Sequence, residues 1–249
     1  MCLLVLALNQ SPQYPLVLIA NRDELHQRPT APADYWPEHK GVIGGRDLVR
    51  GGTWLAVDQM GRVGAVTNFR DPHQQEQPRS RGDLVTDFIQ SNNAAEVFSQ
   101  AVAQRQQTYA GFNLLVGQVD QAFHYRSNRD ESQLLAAGVY GISNGVLDND
   151  WPKVTRSKAR LQRWLQQDQG DRHELFEILA DRRQTESDEN ADEWTQALTA
   201  TFVVNPSYGT RASTCILFSA NGQAVFEERR FDAAGKSAGS SCFEFALTP

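Results

Sequence analysis

The sequence predicts an α+β fold with helices layered on largely antiparallel sheets. Two observations predict it. Short apolar runs face each other across turn-type clusters at the start, middle and end of the chain, as hairpin strands do. Between those hairpins lie two blocks with helical spacing. The chain has 249 residues, 40% hydrophobic and 22% charged, enough for one sizeable core. Residues 1–249 are therefore read as one domain.

The elements follow in order. Residues 2–8 and 16–20 read as the first two strands, with Asn9-Gln10-Ser11-Pro12-Gln13 turning between them. Asn21-Arg22-Asp23-Glu24 stands at the end of the second strand. Residues 25–40, carrying Pro29, Pro32 and Pro37, read as a long irregular loop. Residues 53–57 and 63–67 flank a turn and form a second hairpin. After a polar loop over 69–82, helical spacing runs through 83–90 and 94–105. Strand character returns at 112–116, 122–125 and 139–142. Helices are expected at 154–167 and 173–182, then an acidic loop over 181–193. Residues 200–204, 213–219, 224–229 and 243–247 close the chain as strands.

Composition excludes several function classes. Thirty acids against 24 bases give a net charge of −6, which argues against general nucleic-acid binding. No apolar run approaches the roughly 20 residues of a membrane span. No base precedes Arg22, so no secretory signal is expected and the protein is read as cytoplasmic. Cys2, Cys215 and Cys242 are odd in number and lack metal-like spacing, which suits a reducing compartment. The sequence is silent on oligomeric state.

HExxH, CxxC, GxGxxG, GxSxG and phosphate-loop motifs are all absent, and the five histidines are scattered. No metal or cofactor is expected. Cys2 carries the chemistry that remains. An initiator Met is trimmed when a small residue follows it. The chain would then begin with a thiol beside a free α-amine, which titrates near pH ~8 and can serve as that thiol's own base. The plain alternative is a small buried residue opening a strand. Arg22, Asp23 and Glu24, on a strand expected to pair with that of Cys2, favour the chemical reading. An arginine and two carboxylates there would hold a thiolate, position an amine and bind a polar substrate group.

Met1-Cys2 with Ala20-Asn21-Arg22-Asp23-Glu24 resembles the NRDE family, also called the transport and Golgi organisation 2 family. Further blocks carry the resemblance along almost the whole chain. They include Gly51-Gly52-Thr53-Trp54, Thr67-Asn68-Phe69-Arg70, Ser80-Arg81-Gly82, Tyr140-Gly141-Ile142-Ser143-Asn144, Trp151-Pro152-Lys153 and Tyr208-Gly209-Thr210-Arg211. That family in turn is similar to N-terminal nucleophile (Ntn) hydrolases of the cysteine acylase type. The resemblance implies a four-layer αββα sandwich.

It also implies site residues. Cys2 would be the nucleophile, and Arg22 with Asp23 or Glu24 would fill the acylases' Arg and Asp positions. Those acylases separate Arg and Asp by two residues, whereas Asp23 is adjacent to Arg22, so which carboxylate meets the amine stays open. Asn144 and Asn68 would form the oxyanion hole, and Arg211 would match the acylases' later arginine. Asn21, Trp54, Phe69 and Trp151 are candidates for substrate binding. The implied activity is cleavage of a linear, non-peptide amide in a small-molecule substrate. Because eukaryotic members of the family are linked to haem trafficking and lipid homeostasis, a non-catalytic haem or lipid carrier is the alternative. The Gly51-Gly52, Ser80-Arg81-Gly82 and Trp151-Pro152-Lys153 blocks read as architecture.

Overall fold

In a computed structural model, residues 2–69, 77–128, 132–167, 171–185 and 193–248 are described. The strands are β1 (Leu3–Leu8), β2 (Leu16–Leu25), β3 (Thr30–Tyr35), β4 (Val42–Asp47), β5 (Leu55–Asp58), β6 (Arg62–Asn68), β7 (Phe112–Gln118), β8 (Phe123–Ser127), β9 (Gln133–Leu135), β10 (Gly138–Ile142), β11 (Tyr208–Phe218), β12 (Gln223–Phe231) and β13 (Ser237–Ala246). The helices are α1 (Arg81–Gln90), α2 (Ala95–Ala103), α3 (Pro152–Leu165), α4 (Arg172–Leu179) and α5 (Glu193–Ala197), with a 3₁₀ turn at Gln106–Thr108.

The strands form two antiparallel sheets. One runs β10-β1-β2-β11-β12-β13 and the other β3-β4-β5-β6-β7-β8-β9. Period-two alternation sends each strand's side chains to opposite faces. On β1 and β2, Leu4, Leu6, Leu16 and Leu18 join a core between the sheets with Val57, Val63 and Leu115. Leu3, Val5, Val17 and Ile19 point the other way, onto Leu161 and Trp164 of α3 and Leu175 and Leu179 of α4. Helices α1 and α2 cover the second sheet through Val85, Phe88, Phe98 and Val102 against Leu114 and Val116. The result is the four-layer αββα sandwich, with burial of each large aliphatic side chain worth about 1.5–3 kcal/mol.

Local chemistry sets the helix ends. Ser80 caps α1 in a reciprocal box, its hydroxyl accepting from the Gly82 amide at 3.2 Å while Asp83 accepts from the Ser80 amide at 3.1 Å. Pro152 opens α3, where its missing N–H costs nothing. Asp171 caps α4 by accepting from the His173 amide at 2.8 Å.

Three expectations are corrected. Asn21–Glu24 is not beyond the end of β2 but inside it, because β1 pairs with the strand as far as Asn21 and β11 carries its pairing on to Leu25. Residues 25–40 are not all loop. They include β3, whose Pro32 is tolerated in a strand at the edge of its sheet. Residues 200–204 form no strand, although 200–203 are buried, their backbone being satisfied piecemeal: the Phe202 amide donates to Asp181 O at 2.8 Å and the Val203 amide to Thr210 Oγ1 at 2.9 Å. Parts of the expected loops over 69–82 and 181–193 lie outside the described residues.

Candidate active site

Cys2 immediately precedes β1, and Leu3 pairs with Asn21 of β2, so the thiol comes to lie beside the Arg22–Glu24 segment. The Cys2 Sγ is 4.0 Å from the Asp23 carbonyl oxygen, and the Cys2 carbonyl accepts from Ser143 Oγ at 2.7 Å. The thiol opens onto a cavity of about 190 Å³. Arg22, Asp23, Glu24, Trp54 and Asn68 line it, together with Arg28, Asp47, Thr53, Val66 and Ser80-Arg81-Gly82. The two sheets contribute opposite walls.

Alternation along β2 divides the four polar residues of that segment. Arg22 and Glu24 face the second sheet. Arg22 is 6% exposed, lies 4.3 Å over the Trp54 ring and keeps Nη2 3.7 Å from Glu24 Oε2. Glu24 is also 3.7 Å from Arg28, which in turn grips Asp47 at 2.6 Å. Asp23 faces the helices and is 3% exposed; Thr210 Oγ1 donates to its Oδ1 at 2.7 Å. Burial pushes the Asp23 carboxyl up, while Lys153, Thr210 and Arg22 pull it back. Burial also pushes the Cys2 thiol up, opposed in part by Arg22. A neutral resting thiol follows.

Asn21 shares the Asp23 face, is not among the residues lining the cavity, and uses its side chain within the fold. Its Nδ2 donates to the carbonyls of Leu179 at 2.9 Å and Thr201 at 2.8 Å, and its Oδ1 accepts from Ser213 at 2.6 Å. Asn68 ends β6 at the cavity wall. Asn144, 5% exposed, donates from Nδ2 to the Asn68 carbonyl at 2.8 Å, so the two asparagines are tied together beside the Cys2 cavity. Arg211 does not line that cavity. Its Nη1 gathers the carbonyls of Leu25, His26 and Arg28 at 3.0–3.3 Å and fixes the turn after β2. It borders a neighbouring hollow of about 140 Å³ behind Arg22 and Trp54. Phe69 and Trp151 also stand off the cavity wall. Trp151 packs with the α3–α4 cluster.

Two cations near the thiol were read from sequence as architecture. Arg81 lies in the cavity wall, and Lys153, 2% exposed, donates to the Leu198 carbonyl at 3.0 Å close enough to act on Asp23 and Cys2. Burial pushes the Lys153 amine down. The available signal was position: both sit in the first turn of a helix, the end where the macrodipole disfavours a cation. Among the described residues no cluster of three or more His, Cys, Asp or Glu is placed to hold a metal, and no helix is long and apolar enough to cross a membrane.

The family model described as Transport and Golgi organisation 2 matches residues 1–233. The mouse Transport and Golgi organization 2 homolog is 31% identical over 255 residues, covering 92% of each chain, and the human homolog gives the same figures. Among solved structures, a penicillin V acylase from Agrobacterium tumefaciens superposes with a TM-score of 0.55 at 10% identity, over 99% of this chain and 86% of that one. A mutant conjugated bile acid hydrolase from Clostridium perfringens gives 0.55 at 9% identity, over 99% and 92%. These structural likenesses speak to the fold.

Proposed function

The chain belongs to the Transport and Golgi organisation 2 family on an Ntn-hydrolase fold, and from that premise we propose that it is an N-terminal-cysteine amidohydrolase acting on a linear, non-peptide amide. One observation carries the reading: the Cys2 thiol faces a small polar cavity bounded by Arg22, Asp23, Glu24 and Asn68. Removal of Met1 in the cytoplasm frees the Cys2 amine. That amine takes the thiol proton as Sγ attacks the substrate carbonyl carbon. The tetrahedral oxyanion is met by donors from Asn144 and Asn68. Asn144 Nδ2 spends one N–H on the Asn68 carbonyl and has a second to offer. Collapse breaks the C–N bond, and the Cys2 ammonium returns its proton to the leaving amine. Water, deprotonated by the same amine, then attacks the thioester, releasing the carboxylic acid and restoring the thiol. Asp23, buried and held by Thr210, is the carboxylate assigned to orient the amine, while Glu24 balances Arg22 and Arg28.

The carrier alternative draws less support, because a cavity of this size and charge suits a small polar group better than a porphyrin or an acyl chain. The deciding experiment is the intact mass of protein purified from its own host, before and after a thiol-directed acylating probe. The expected result is loss of Met1 and one adduct mapped to Cys2 over Cys215 and Cys242. Turnover of an amide panel should then vanish in Cys2→Ala. Retention of Met1 on most molecules overturns the mechanism.

A further inference from the structure

Among the described residues that line the Cys2 cavity, every cation but one has a carboxylate within 4.0 Å. Arg28 pairs closely with Asp47, Glu24 faces both Arg22 and Arg28, and Asp23 turns to Thr210. Arg81 is left over. Among the described residues no carboxylate comes within 4.0 Å of its guanidinium, and its hydrogen bond runs from Nη1 to the Gly111 carbonyl at 3.1 Å. Burial pushes its pKa down, with Cys2 and Glu24 acting the other way. A partly buried guanidinium in the first turn of α1 pays twice, in lost hydration and against the helix dipole. It cannot relieve either cost by losing its proton.

A second observation points the same way. Arg22, 6% exposed and lining the same cavity from the opposite sheet, keeps a buried Nη1 with no hydrogen-bond partner. The α1 backbone is not the receptor: Ser80 Oγ takes the Gly82 amide, and the Asp83 amide bonds the Ser80 carbonyl. Recognition falls to guanidinium side chains, whose planar pairs of N–H donors match a carboxylate.

We propose that Arg81, aided by the unpartnered Nη1 of Arg22, binds a carboxylate of the substrate, so that the amide offered to Cys2 belongs to a compound bearing a carboxylate close to the scissile bond. Arg81 is thereby a specificity-determining residue. This inference rests on the reading of Cys2 as nucleophile, but its test does not require turnover.

The test compares alkylation of Cys2 by iodoacetate and by iodoacetamide, which differ in a carboxylate, with the site mapped by peptide mass. The urea-unfolded chain supplies the intrinsic ratio of the two rates. In the folded protein that ratio should rise in favour of iodoacetate by roughly tenfold, the scale of one charge-assisted hydrogen bond. Arg81→Gln should return the ratio to the unfolded value, while Arg81→Lys keeps part of the preference. An equal fall in both rates in Arg81→Gln would make Arg81 an activator of the thiol and overturn the assignment. If Cys2 takes neither reagent, the nucleophile reading fails. Arg81 is then judged by glutarate, which should raise the melting temperature of the wild type, but not of Arg81→Gln, at matched ionic strength. No rise, or an equal rise in both, overturns the carboxylate site.

Discussion

Replacing Asn21 by alanine should unfold the protein before it harms the chemistry. Asn21 reaches from β2 to the carbonyl of Leu179, the last residue of α4, and to the carbonyl of Thr201, while Ser213 Oγ donates to it from β11. All these bonds are buried, and Asn21 itself is 1% exposed. Truncation leaves two carbonyls and a hydroxyl without that partner. A buried polar group stripped of its partner costs about 1–3 kcal/mol. Carbonyls are the more forgiving members, so the expected total is about 3–5 kcal/mol. For a chain of this length that corresponds to a melting point lower by roughly 6–20 °C. Asn21→Asp, nearly isosteric, should cost at least as much, because it turns an acceptor toward two carbonyl oxygens. Urea titration followed by circular dichroism gives the free energy, and Cys2 alkylation below the transition reports the site. A loss under about 1 kcal/mol, or a folded variant with unchanged stability and abolished Cys2 reactivity, would refute the structural reading and return Asn21 to the substrate.

Further outcomes follow from other contacts. Asp47→Asn removes the carboxylate that Arg28 grips. Burial raises the Asp47 pKa, but the Arg28 and Val49 hydrogen bonds outweigh it and hold the carboxyl below its usual range. Its stabilisation is therefore present above the unfolded pKa near ~3.9 and lost as pH falls through the lower folded value. The variant should be about 1 kcal/mol less stable at pH 7 and match wild type once pH has fallen through the lowered folded pKa of Asp47, as read by urea midpoints. Gly52→Ala would place a methyl carbon 2.5 Å from the Gly82 carbonyl carbon and 2.8 Å from its Cα, backbone atoms that cannot rotate aside. It should cost about 1–3 kcal/mol and displace the start of α1, seen as altered Cys2 labelling. Thr67→Val, isosteric, removes the hydroxyl that donates to Ser143 O at 2.7 Å and accepts from Asn113 at 3.1 Å, a tie between the sheets; thermal melts should show about 1–3 kcal/mol lost.

How much was readable in the sequence depended on the range of the forces involved. The β1–β2 hairpin and the α3 and α4 helices were visible because their period and turn chemistry are local. Strand β4 was missed because Gly44 and Gly45 interrupt its apolar run. Residues 200–204 read as a strand because they are apolar, yet burial there comes without ladder pairing. At the site, neighbours on the Cys2 hairpin were legible from adjacency. Arg81 and Lys153 were not, because they reach the thiol only when α1 and α3 fold onto opposite sheets. Asn21 and Arg211 show a related effect: polar residues near a cavity in sequence are also those that satisfy nearby carbonyls, as both do here.

The two-walled cavity has a mechanical corollary. Cys2 and Arg22 ride on one sheet, while Trp54, Asn68 and the Arg81 helix ride on the other. The leucines and valines between the sheets, Leu4, Leu18, Val57 and Leu115 among them, therefore act as a shim that gauges the width of the mouth. Bulk added or removed there alters the gap between nucleophile and opposing wall without touching either. Ligand preference in relatives of this chain can drift through aliphatic swaps that look silent at the mouth itself, and a survey of natural variants should read the interior alongside the polar rim.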